Sequence, residues 1–123
     1  MDKENILMRI QNCGIVAVVR AESADKAERI VDACMEGGVA AIEMTFSVPH
    51  ADRVIETLSY KYDPKDIILG AGTVMDAATA RIAMLSGAQY IVSPYLELET
   101  LKMCNRYSCL LYTSPSPRDG ATS

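Results

Sequence analysis

Four apolar runs without alternation, the amphipathic segments between them and a joint that repeats predict an α/β fold, the N-terminal half (about four βα units) of a TIM (β/α)8 barrel. The runs GIVAVVR, VAAIEMTF, DIILGAGT and QYIVSP are rich in β-branched residues, as suits strands buried on both faces of a parallel sheet. They recur roughly every 25 residues, close to the length of one barrel unit. The joints EGGVAAIEMT and LSGAQYIVSP share one order: helix end, glycine, small residue, strand, polar residue. A doubly wound open sheet is the competing architecture, but its ligand glycines would follow the first strand directly, where Arg20 and Ala21 stand.

A short helix over Asp2–Asn12 precedes the first strand. The next helix places Ala27, Ile30, Val31 and Cys34 on one face, with Ser23 as its cap and Gly37-Gly38 as a left-handed exit. The helix after VAAIEMTF begins near Pro49 and turns Val54, Ile55, Leu58 and Tyr62 inward. Asp76 caps the following helix, which is lined by Ala80, Ala83, Met84 and Gly87, and a last helix runs from about Leu96 to Tyr107.

Half of the 123 residues are apolar, enough for a real core, and the formal charge is -4. The basic residues stand singly rather than in a stripe, which argues against a nucleic-acid surface. No apolar run approaches the roughly 20 residues of a membrane span, and the start MDKENILMRI lacks the charge pattern of a signal peptide. A cytoplasmic protein without membrane partners is expected. Cys13, Cys34, Cys104 and Cys109 form no CxxC pair and His50 is the sole histidine, so buried thiols are expected rather than a metal or disulfide framework.

A barrel active site lies at the C-terminal ends of the strands, and here those ends carry Arg20, Glu43 with Thr45, Thr73, and Ser93 with Pro94. Glu43 is the most informative, because a carboxylate inside VAAIEMTF is costly to bury unless it is paired or lines a polar cavity. Arg20 suits either an ion pair on the rim or an anchor for carboxylate or phosphate. The Thr73 hydroxyl either bonds nearby backbone or faces a ligand, and the glycines of GAGT read as a sharp turn beside that ligand.

Taken in order, GIVAVVRA, EGGVAAIEMTFSVP, ILGAGTV and GAQYIVSPYL closely resemble the class I, Schiff-base aldolases of 2-keto-3-deoxy-6-phosphogluconate (KDPG) and 4-hydroxy-2-oxoglutarate (KHG), over about Ile6 to Tyr107. The resemblance implies a (β/α)8 barrel, a homotrimer when full length, and a sixth-strand lysine that forms an imine with the 2-keto acid substrate, without metal or other cofactor. It implies further that Glu43 moves protons through water, that Thr73 holds the pyruvate carboxylate, and that Arg20 and Pro94 line the same pocket. Two departures stand out. Ser47 occupies a place where some members carry arginine, and the Schiff-base lysine and late phosphate loops would lie beyond Tyr107.

The last stretch, CLLYTSPSPRDGATS, breaks the pattern. Its first part is the translation of a transposase-based sequencing adaptor, so residues 1–108 are expected to be a partial aldolase barrel and 109–123 a non-native, disordered tail. Such a half barrel lacks the lysine and is expected to be inactive and to self-associate through its open strands. Two other readings stay open: a phosphate-binding barrel isomerase or synthase, against which IEMTFSVP followed by GAGT speaks, and a non-catalytic anion-binding α/β module.

Overall fold

In the computed structural model, which describes residues 3–113, five parallel strands form one sheet in the sequential order β1-β2-β3-β4-β5. Helix α1 (Lys3–Cys13) leads into β1 (Val16–Val19), and the pattern continues with α2 (Ala24–Glu36), β2 (Ala41–Thr45), α3 (Ala51–Lys61), β3 (Ile68–Gly72), α4 (Ala77–Ser86), β4 (Tyr90–Ser93), α5 (Leu98–Arg106) and β5 (Leu110–Thr113). A doubly wound sheet would reverse its strand order at a switch point. The order here never reverses, so the chain is a partial barrel, with each helix carried forward to the next strand.

Two apolar layers follow from the period-2 alternation of the strands. Toward the helices, Val19, Ile42, Met44, Leu69, Ala71 and Ile91 pack against buried residues of α2 to α5, among them Val31, Ile55, Leu58, Ala83 and Cys104. On the opposite, inner face, Ala41, Ile68 and Tyr90 pack with Ile6 and Ile10 of α1. Helix α1 thus plugs the N-terminal end of the inner face and leaves the C-terminal end open.

The local signals act as capping chemistry dictates. Lys26 N donates to Ser23 Oγ at 3.3 Å, and Thr79 N donates to Asp76 Oδ1 at 2.7 Å. Gly38, with φ of 87°, makes the left-handed exit from α2. Helix α3 begins two residues after Pro49, because His50 takes a left-handed φ of 65° ahead of it. Ile30 departs from its expected inward position; at 40% exposure it lies at the margin of the α2 face.

The C-terminal stretch differs from expectation in its first residues. Cys109 is buried and Leu110–Thr113 pairs with β4 along its whole length, from Tyr90↔Leu110 to Ser93↔Thr113. An apolar, β-prone CLLYT beside an otherwise open strand edge satisfies the backbone groups of β4. The remainder of the expected tail, 114–123, and Asp2 of the expected first helix lie outside the described residues.

The Asp76 cap gives a test with a defined sign. The N–H of Thr79 holds the Asp76 carboxyl below its usual range, so its stabilisation is present above the ordinary aspartate pKa and is lost as pH falls through the lowered value. Asp76→Ala is expected to cost about 1 kcal/mol in urea unfolding at pH 7. The gap between variant and parent should close as the unfolding is repeated below about pH 4.

Candidate active site

The register aligns Val18, Glu43, Gly70 and Tyr90 across β1 to β4, so these four positions share the inner face. On β3 that face carries no side chain beyond Ile68, since Gly70 and Gly72 occupy the next two inward positions. Neighbouring strands fill the gap. A Cβ on Gly72 would collide with the Glu43 carboxylate, meeting Cδ at 2.7 Å and Cγ at 2.8 Å, and a Cβ on Gly70 would fall within the Tyr90 ring. These glycines lie inside β3 and neither has a positive φ, which corrects the expectation of a sharp turn in GAGT. Their use is side-chain space, not backbone freedom.

The left-handed residue of GAGT is Thr73 itself, at φ of 57°, a conformation that strains a β-branched residue. Neighbouring loops hold it from both sides. Phe46 N donates to Gly72 O at 2.7 Å, Val74 N donates to Val92 O at 3.1 Å, and the Tyr95 hydroxyl donates to Met75 O at 3.1 Å. Thr73 is exposed on the rim of the open end.

Glu43 is half-buried, and burial pushes its carboxyl above the usual carboxylate range. Ion pairs among the described residues join Lys61 to Glu28 and Asp32 and Lys102 to Glu99, all on helices, and Glu43 takes part in none of them. The paired, structural glutamate weighed from the sequence therefore finds no counterpart. Thr45, buried, stands two residues further along the same face.

Arg20 is exposed immediately after β1, and Pro94 is half-buried immediately after β4. The Ser93 hydroxyl donates to Tyr95 O at 2.7 Å and shapes the turn around Pro94. Arg20, Glu43, Thr73 and Pro94 thus come to one edge of the sheet from four adjacent strands. Only Glu43 sits within a strand; the others follow strand ends.

Tyr90 was not among the sequence candidates. It is buried at 1% exposure, its hydroxyl donates to Ile42 O at 3.1 Å, and the Tyr112 ring meets it edge-on with centroids 6.4 Å apart. The available signal was the pair of glycines two residues apart in DIILGAGT, which marks an empty stripe that a neighbouring aromatic fills. A cavity of about 230 Å³ lies at the other end of the strands, lined by Ile6, Met84, Gln89, Tyr107 and Cys109, and contains none of the candidate residues. Among the described residues no group of three or more His, Cys, Asp or Glu is placed to hold a metal ion, and no helix is long and apolar enough to cross a membrane.

A family model described as KDPG and KHG aldolase matches residues 6–113. The chain is 29% identical over 101 residues to the 2-dehydro-3-deoxy-phosphogluconate aldolase of Haemophilus influenzae, which covers 82% of this chain and 47% of that protein. Its fold is similar to that of a KDPG aldolase from Legionella pneumophila solved with pyruvate captured as a covalent carbinolamine, with TM-score 0.74, 23% identity, and coverage of 87% of this chain and 52% of that one. A cube-shaped cage designed by fusing symmetric oligomeric domains is similar in fold as well, with TM-score 0.73, 23% identity, and coverage of 87% and 40%. The chain spans about half the length of the proteins it matches, or less. With its match over residues 6–113 and its run of parallel βα units, the chain belongs to the KDPG and KHG aldolase family.

Proposed function

We propose that the full-length protein carrying this segment is a class I aldolase. It cleaves KDPG to pyruvate and glyceraldehyde 3-phosphate, or KHG to pyruvate and glyoxylate, through a lysine Schiff base in the cytoplasm. The observation that carries this reading is Glu43: a half-buried carboxylate, outside every described ion pair, in a niche that Gly72 leaves open at the C-terminal edge of the sheet. A carboxylate whose proton affinity is raised by burial is better suited than an ordinary one to accept and return protons. In this role Glu43 serves the carbinolamine, the substrate hydroxyl and the enamine carbon in turn, through water.

Thr73 and Arg20 are the proposed anchors for the substrate carboxylate, with Pro94 shaping the pocket wall. Held on the rim in a fixed conformation, Thr73 offers its hydroxyl without ordering it at the moment of binding. The electron sink is a protonated imine, which needs a lysine at a strand end. The five lysines here are Lys3, Lys26, Lys61, Lys65 and Lys102, and none lies on a strand. The segment by itself is therefore proposed to be inactive, and the full-length protein to assemble as a homotrimer. The carbinolamine seen with the Legionella relative supports the Schiff-base chemistry by analogy, and the oligomeric domains used in the designed cage support assembly into an oligomer.

Borohydride reduction in the presence of pyruvate tests the reading. Full-length protein is expected to gain a covalent adduct on one lysine, and this chain none; a full-length protein that cannot be trapped would remove the Schiff-base mechanism. Residues 109–123 remain proposed as translated adaptor. A nucleotide read that continues past the codon for Tyr107 into different, lysine-bearing sequence supports that origin, and native read-through of CLLYTSPSPRD removes it.

Glu43→Gln separates catalysis from stability. Because the folded carboxyl binds its proton more tightly than the unfolded one, stability falls as pH rises from the ordinary glutamate range through the raised value. The amide has no such dependence. The variant is thus expected to be more stable than the parent at pH 7 and equal to it below about pH 4, in urea unfolding followed against pH. In the full-length enzyme the same change should lower kcat by about 10²- to 10⁴-fold.

A further inference from the structure

Tyr90 on β4 reaches over β3 to bond the backbone of β2, although β2 and β4 are not neighbours in the sheet. The contact exists only because Gly70, between them in the register, has no side chain. The acceptor is the carbonyl of Ile42, which belongs to the peptide unit joining Ile42 to Glu43. We propose that Tyr90 is a positioning residue for Glu43: its hydroxyl pins the peptide that carries Glu43, and its ring forms the dry floor of the carboxylate niche.

Three observations support this. The ring is fully buried, so the phenol has no water to bond and is committed to the Ile42 carbonyl. Tyr112 of β5 closes edge-on against the far side of the ring and keeps it over Gly70. Burial and the Glu43 carboxylate both push the phenol above its usual range, which places the two groups in one shared low-dielectric region. The titratable groups around this region are few. Tyr112 and Cys13 act on the ring from β5 and α1, Val18 and the two glycines line β1 and β3, and Arg20 follows the end of β1.

The inference deepens the proposed role of Glu43 and rests on that role only for its catalytic meaning; its test involves no turnover, so it can fail while the aldolase reading stands. Carbon-13 NMR of the Glu43 carboxyl, titrated in this chain, reads the niche directly. In Tyr90→Phe, which keeps the ring but frees the peptide, the midpoint is expected to fall part of the way toward the ordinary glutamate value as the unpinned carboxylate turns toward the open end, with the Ile42 carbonyl signal shifting and the far-UV circular dichroism retained. Gly70→Ala, which puts a methyl where the ring lies, should lower the midpoint too. Tyr62→Phe, which removes a hydroxyl on the helical side of the sheet, should leave it in place. An unchanged midpoint in Tyr90→Phe or in Gly70→Ala would overturn the proposal, as would an equal fall in Tyr62→Phe.

Discussion

The missing side chains at Gly70 and Gly72 are the constraint on which the inner face depends. In a parallel sheet the inward positions of adjacent strands stand side by side, and a large residue on each would fill the space above β3. With β3 bare beyond Ile68, the space passes to its neighbours: Glu43 leans in from β2 and Tyr90 from β4. The helical side has no such gap. There Ile42, Leu69 and Ile91 pack continuously against α2 to α5, and that layer supplies the burial that holds the strands in register.

This division lets the site carry groups that oppose stability. Glu43 gains nothing in folding from partial burial, since desolvation disfavours its ionised form and no described ion pair offsets it. Thr73 holds a left-handed backbone that a β-branched residue resists, and three hydrogen bonds, two to the flanking loops at Phe46 and Tyr95 and one to Val92 of β4, keep the segment there. Both features lie at the open end of the sheet, away from the layer that stabilises it. Placing strain and desolvation where ligand contacts can use them, over a core that tolerates the loss, is the general compromise between stability and activity.

Much of the architecture was legible because it rests on local rules. Ser23 and Asp76 act as caps, the apolar runs become strands, and Ala27, Val31, Val54, Ile55 and Leu58 turn inward as helical spacing requires. Helix α3 starts later than Pro49 suggested, because the left-handed turn at His50 intervenes; histidine is enriched at positive φ, but such residues are still uncommon, so the residue type alone does not fix the turn. Leu110–Thr113, read from the sequence as part of the tail, forms a strand whose pairing answers the exposed edge of β4, a demand that CLLYT does not express on its own. Of the candidate site, Arg20, Thr73 and Pro94 were legible from their places just after strand ends and Glu43 from its charge inside an apolar strand, the positions where barrel geometry concentrates chemistry.

Residue order alone determined the sequential parallel sheet, the helix boundaries near their caps and the edge at which Arg20, Glu43, Thr73 and Pro94 gather, since each follows from period, capping and strand polarity over a few residues. Only the tertiary structure decided what the glycines of GAGT are for and that Tyr90 belongs beside Glu43. The Tyr90 bond joins positions 48 apart in the chain and crosses an intervening strand. Such a contact depends on register across three strands at once, and register is set by how all the inward side chains share one volume, which no local stretch of sequence encodes.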